Sequence, residues 1–298
     1  MNIRIAALAV LVGALSCGSP DQAAEPDDRL TVVASTDVWA SVVRAVAGDA
    51  VELKTIIDDP AGDPHSYESS PAVAATVAEA DLVVFNGGGY DEFLTPILAQ
   101  AGDKLGVEAF ALLSPAASTD AAPANEHVWY DLAVVQDVAQ NVAGELGQLV
   151  PEQATQFTAR AQEFGSRLDE LSTEVSAIAD TYSGARVAMT EPVAFYLIEA
   201  AGLTDATPPE FAEAVEEETD PPAAAVAATS DLLTQRQVRL LIYNPQAETP
   251  VTSQARFVAQ TAGVPVVEMT ETLPEGTDYL DWMSAQIDAL SSALGSAR

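Results

Sequence analysis

Only two histidines occur in this chain of 298 residues, and each stands in a short polar segment beside carboxylates. His65 lies in Asp63-Pro64-His65-Ser66-Tyr67-Glu68, and His127 in Asn125-Glu126-His127-Val128-Trp129-Tyr130-Asp131. Imidazole is the commonest protein metal ligand and the side chain that titrates nearest neutrality. Histidine scattered over a surface by drift would leave strays, and here there are none. Two carboxylates complete a candidate metal set: Glu191 in Thr190-Glu191-Pro192, and Glu271 in Thr270-Glu271-Thr272-Leu273-Pro274. Two neutral imidazoles and two carboxylates sum to a charge of −2, which suits a divalent first-row ion. Buried together, such charges are tolerated because a cation sits among them.

Each candidate also has a plainer use. His65 can cap a turn after Asp-Pro, and His127 can pack as a core residue against Trp129. Glu191 can be a solvated loop acid, and Glu271 competes with Glu268, Glu275 and Asp278 for the fourth place. The Glu216-Glu217-Glu218 run reads as a solvated loop rather than a metal-collecting arm. Asn86-Gly87-Gly88-Gly89 resembles a phosphate cradle only superficially: GxxxxGK and a nearby lysine are both missing, so nucleotide binding is rejected.

The elements that must position these residues alternate between apolar runs and helical stretches. Strands are expected over residues 30–35, 51–57 and 82–85 in the first half, and over 186–189, 239–243 and 264–268 in the second. Helices are expected over 39–46, 71–80, 194–201, 223–233, 253–262 and 279–294. Strand, helix, strand with Gly-rich punctuation is the pattern of a parallel α/β sheet. Glu191 and Glu271 then fall just beyond strands, and His65 in a loop after the second, where open sheets bind ligands. Between the halves, Phe157, Ala161, Phe164, Leu168, Leu171, Val175, Ile178 and Tyr182 repeat at alternating steps of four and three. That is one apolar stripe on a helix beginning near Pro151, a residue suited to a first helical turn. So long a helix reads as a rigid spine joining two lobes. The other reading is a hairpin with the 133–150 segment. The expected divisions are therefore a lobe over 30–150, a connecting helix over 151–182 and a second lobe over 183–298.

The N-terminus bounds the compartment. Arg4 precedes an apolar run over residues 5–15, the length of a signal-peptide core and too short to span a bilayer. Cys17, the single cysteine, follows that run and suits a bacterial lipoprotein site, with residues 1–17 as the leader. Residues 18–28 (GSPDQAAEPDD) are polar and turn-rich, so the stretch up to residue 29 reads as a flexible tether. With 12 basic and 45 acidic residues the formal charge is −33, which argues against binding nucleic acid and permits cations to gather near the surface.

Four segments also resemble a known family. DPHSYESSPAVAATVAEADLVVFNGGGYDEFL is similar to the stretch around the first histidine ligand in solute-binding lipoproteins of bacterial manganese and zinc ABC importers. EHVWYDL resembles their second histidine segment, TEPVAFYLIEAAGL the stretch carrying a third ligand, and TETLPEGTDYLDWMSAQIDAL the C-terminal carboxylate stretch. The resemblance runs from about residue 30 to the end. It implies that His65, His127, Glu191 and Glu271 hold Zn2+ or Mn2+ as cargo. It implies two α/β lobes bridged by one long helix, a lipid anchor at the outer face of the cytoplasmic membrane, and a membrane permease as partner. A monomer that binds without catalysis is expected. Two departures stand out: the fourth position is Glu271 where many relatives have aspartate, and the histidine-rich loop of many zinc receptors is missing. The rival readings are an extracytoplasmic metal-dependent hydrolase, disfavoured because no HExxH occurs, and a receptor of the same fold for an organic metal chelate.

Overall fold

The computed structural model describes residues 29–59, 67–102, 105–114 and 125–297. Cys17, with the expected leader and most of the tether, lies outside the described residues, as does His65. Chain order runs β1 (Leu30–Thr36), α1 (Asp37–Ala47), β2 (Val51–Ile57), α2 (Pro71–Glu79), β3 (Leu82–Phe85), α3 (Thr95–Gln100) and β4 (Leu105–Glu108). These strands form one parallel sheet in the order β2-β1-β3-β4. Two long helices follow, α4 (Leu132–Leu149) and α5 (Ala154–Tyr182). The second half contributes β5 (Arg186–Met189), α6 (Phe195–Ala200), β6 (Thr204–Asp205), α7 (Pro209–Glu216), α8 (Ala223–Thr234), β7 (Leu241–Tyr243), α9 (Pro250–Ala262), β8 (Val266–Glu268) and α10 (Tyr279–Ser296). Its strands form a second parallel sheet in the order β6-β5-β7-β8.

The two α/β sheets joined by a long helix match the expected fold class. Val32, Val33, Val83 and Val84 are fully buried because helices cover both faces of a parallel sheet, so its strands read as continuous apolar runs. Helix starts follow local chemistry. The Ser70 hydroxyl accepts from Val73 N ahead of Pro71, and the Asp131 carboxylate accepts from Ala133 N and Val134 N at the start of α4. Thr249 and Thr252 form a reciprocal cap before α9. Four elements escape the periodicity reading: α3, with six residues, β4, with four, β6, with two exposed ones, and α7, with eight.

The 29 residues of α5 reach about 43 Å at 1.5 Å per residue. Its stripe from Phe157 to Ile178 is buried as the spacing requires. α4 packs along α5, so the hairpin exists; α5 also touches α1, α6 and α10, so the hairpin and the spine are one structure. A single apolar core accordingly runs from Val32 and Val84 through α4 and α5 to Val187, Ile242 and Trp282.

Hydrogen bonds stitch the C-terminal segment to the first half. Leu273 N donates to Asp37 Oδ2 at 2.9 Å, Tyr279 N to Ser41 Oγ at 2.9 Å, and Tyr279 Oη to Trp129 O at 2.7 Å. Tyr130 Oη donates to Thr270 O at 2.9 Å, one residue before Glu271. Among the described residues no helix is long and apolar enough to cross a membrane.

Candidate metal centre

The site forms where the carboxyl ends of the second sheet meet the loop that leads into α4. Glu191 follows β5, Asn244 follows β7 and Glu271 follows β8, so three adjacent strands deliver polar side chains to one crevice. His127 arrives from the other side, just before the turn over Val128–Tyr130 that leads into α4.

His127 is fully buried. Its backbone N–H donates to Asn125 Oδ1 at 2.9 Å, and its Nδ1 stands 3.0 Å from that same oxygen. An amide oxygen only accepts, so this contact places the ring proton on Nδ1 and the lone pair on Nε2. Asn125 is oriented in turn by its Nδ2, which donates to Pro192 O at 3.2 Å, next to Glu191. The rings of Trp129 and Tyr90 wall the imidazole at centroid distances of 5.1 and 6.1 Å.

Glu191 and Glu271 are each only 3% exposed. Asn244 Nδ2 donates to Glu271 Oε1 at 2.7 Å and also to Glu191 Oε1. The Asn244 amide cannot turn over without cost, because its Oδ1 accepts from Gln246 N at 2.9 Å. Tyr90 Oη, presented by the turn after β3, donates to Glu271 Oε2 at 3.0 Å. Glu271 N donates to Gln246 Oε1 at 2.7 Å. The structure thus brings Glu191 and Glu271 together through Asn244, with Tyr90 touching both Glu271 and the His127 ring. Of the acids that compete with Glu271, Glu268 is exposed beside Arg256, Glu275 is exposed, and Asp278 caps α10.

Glu216 requires a correction. It is the last residue of α7, and its Oε1 lies 3.6 Å from His127 Nε2, with its side chain 17% exposed. It is not part of a solvated loop, although Glu217 and Glu218 are exposed. The reason is α7 itself, which buries Phe211, Ala212, Ala214 and Val215 and so carries its terminal glutamate inward. Burial, and then the charges of Glu191, Glu126 and Glu271, push the Glu216 carboxyl far above the usual carboxylate range. A cavity of about 370 Å³ opens beside these groups, with Glu191, Glu216, Glu218, Asp220, Glu248 and Glu271 in its wall.

Two pairs face each other: His127 with Glu216, and Glu191 with Glu271 through Asn244. Among the described residues no three His, Cys, Asp or Glu side chains are already closed into one metal-holding cluster. Asn125, Asn244, Tyr90 and Glu216 were all missed in the sequence. Asn244 could have been found by the rule that selects Glu191, since it too follows a strand directly. The Asn86-Gly87-Gly88-Gly89 segment is a structural turn. Asp91 takes the backbone N–H of Asn86 and Gly87 at 2.7 and 2.8 Å, and Asn86 Nδ2 donates to Glu126 O at 2.8 Å, beside His127. Gly87 has φ +75°, and a Cβ there would collide with Glu108, so glycine is required.

The fold is of the two-lobed, helix-bridged α/β class. The chain aligns over 91% of its length with all of the periplasmic zinc-binding protein TroA from Treponema pallidum, at a TM-score of 0.76 and 22% identity. More particularly, residues 32–293 match the family ZnuA, described as zinc-uptake complex component A, periplasmic, and the chain belongs to that family. It is 28% identical over 172 residues to the metal ABC transporter substrate-binding lipoprotein SloC of Streptococcus mutans, across 54% of this chain and 55% of that one. It is 29% identical over 166 residues to the manganese-binding lipoprotein MntA of Halalkalibacterium halodurans, across 53% of each. The chain spans about half the length of the curated relatives it matches.

Proposed function

We propose that this protein is an extracytoplasmic receptor that captures Zn2+ or Mn2+ and delivers the ion to a membrane ABC permease, with no chemical turnover. The observation that carries this reading is the buried His127: its Nδ1 is fixed by Asn125 while its Nε2 faces Glu216 from the other half of the molecule. Buried carboxylates at this density are costly unless a cation joins them. His127, Glu191 and Glu271 are assigned as ligands, with His65 as the fourth by its place in the sequence. Cys17 is assigned as the lipid-bearing residue that ties a monomeric receptor to the outer face of the cytoplasmic membrane. The long α5 and the bonds from Asp37, Ser41 and Trp129 to the C-terminal segment favour release by loop movement over wide closure of the lobes.

The test is isothermal titration of chelator-stripped protein with Mn2+ and with Zn2+. The reading requires saturable binding of one ion per chain by the wild type and a loss of it in His127→Ala. A wild-type protein that binds neither ion overturns the reading.

A further inference from the structure

We infer that Glu216 is an additional ligand of the captured ion, and that it biases the site toward ions that accept more than four donors. The inference rests on the receptor reading above and deepens it.

Three observations bear on Glu216. Its Oε1 lies 3.6 Å from Nε2 of His127, the ring nitrogen that carries the lone pair when Nδ1 donates to Asn125. Two donors about 2.1 Å from a common ion and about 90–115° apart stand roughly 3.0–3.5 Å from each other. The observed gap matches that span to about a tenth of an ångström, so little movement is needed for both to hold one ion. Next, the carboxylate is carried on a helix end whose Phe211 and Val215 are buried, so its place is set by packing. Finally, the same cavity wall presents Glu191 and Glu271, the two carboxylates that Asn244 holds together.

An ordinary ion pair explains the contact less well. The charges that reach Glu216 are those of the buried Glu191 and Glu271 and of the half-buried Glu126, all carboxylates, and Glu126 also shares a side-chain hydrogen bond with it. Burial among carboxylates leaves Glu216 protonated and neutral when no ion is present, so it is no partner for an ordinary ion pair, and a cation that displaces the proton offsets the repulsion among the charged forms.

The coordination preference follows from donor count. Zinc is commonly satisfied by four donors, while manganese takes up to six and favours carboxylate oxygen. An oxygen added to the two histidines and two carboxylates therefore serves manganese more than zinc.

The test compares wild type, Glu216→Gln and Glu216→Asp by chelator-competition titration with Mn2+ and Zn2+. Circular dichroism of the stripped proteins checks that each variant folds. Glu216→Gln is expected to weaken Mn2+ binding by about tenfold or more while changing Zn2+ binding by less than about threefold. Glu216→Asp keeps the charge but shortens the side chain by one methylene. It is expected to lose Mn2+ affinity as well, which a purely long-range electrostatic role would not produce. X-ray absorption at the manganese edge is expected to show one light-atom donor fewer in Glu216→Gln. Unchanged Mn2+ affinity in both variants, or equal losses for both ions, overturns the inference. A wild type that binds neither ion overturns the receptor reading itself, and the two failures are thereby distinguished.

Discussion

Asn125 holds His127 from two sides at once, accepting from its backbone N–H at 2.9 Å and standing 3.0 Å from its Nδ1 through one oxygen. The contact sets the tautomer and the tilt of a ring that has no solvent to orient it. Ligating histidines depend on such partners, and their removal costs on the order of 10–100-fold in metal affinity. Asn125→Ala is therefore expected to weaken Mn2+ and Zn2+ binding by that factor, and to cost the stripped protein about 1–3 kcal/mol because the buried His127 loses that acceptor. Titration calorimetry and urea denaturation check it; an unchanged affinity would remove Asn125 from the account.

Asn244 acts on the carboxylates instead. Its Nδ2 serves both Glu191 and Glu271, so it neutralises part of their repulsion when no ion is present. Asn244→Ala leaves two buried acceptors without that donor and is expected to cost about 1–3 kcal/mol in stripped protein. An ion between the carboxylates offsets much of the loss, so the rise in Tm on adding Mn2+ should be larger in the variant than in wild type. Equal rises in the two proteins would show that the amide and the ion do not act on the same pair.

Asp37 ties stability to pH. Burial pushes its carboxyl up from 3.8 to about 6, partly opposed by the Leu273 N–H, and Asp58 adds to the rise. The folded state thus holds this proton more tightly than the unfolded chain. The sign follows: its contribution is fully present below about pH 3.8 and is lost as pH rises through about 6. Asp37→Asn keeps an oxygen for Leu273 N and removes the charge. Urea unfolding between pH 4 and 7 should show a smaller decline in stability with rising pH for the variant than for wild type. Parallel curves would contradict the assignment.

Much of the fold is legible because its causes are local. The stripe on α5 needs only the periodicity of Phe157 through Ile178, and the strands β1 and β3 announce themselves as valine-rich runs buried on both faces. β6 is not legible, since two exposed residues paired to Arg186 and Val187 carry no pattern of their own. The candidate centre divides the same way. Glu191 and Glu271 follow strands, so their place at the crevice is legible, while the choice of Glu271 over Glu268, Glu275 and Asp278 needs their burial. Glu216 depends on how α7 packs, a tertiary fact, and its neighbours Glu217 and Glu218 are the solvated acids the run resembles. Tyr90 reaches Glu271 across 181 residues of sequence, a distance over which no spacing argument operates.

The central claim is that His65, His127, Glu191 and Glu271 together hold one divalent transition ion. Native mass spectrometry of EDTA-stripped protein, titrated with Mn2+ or Zn2+, tests it most directly. The account predicts uptake of one ion by the wild type and loss of that ion in His65→Ala, His127→Ala, Glu191→Ala and Glu271→Ala. A wild type that takes up no ion, or four variants that load as fully as the wild type, would contradict it.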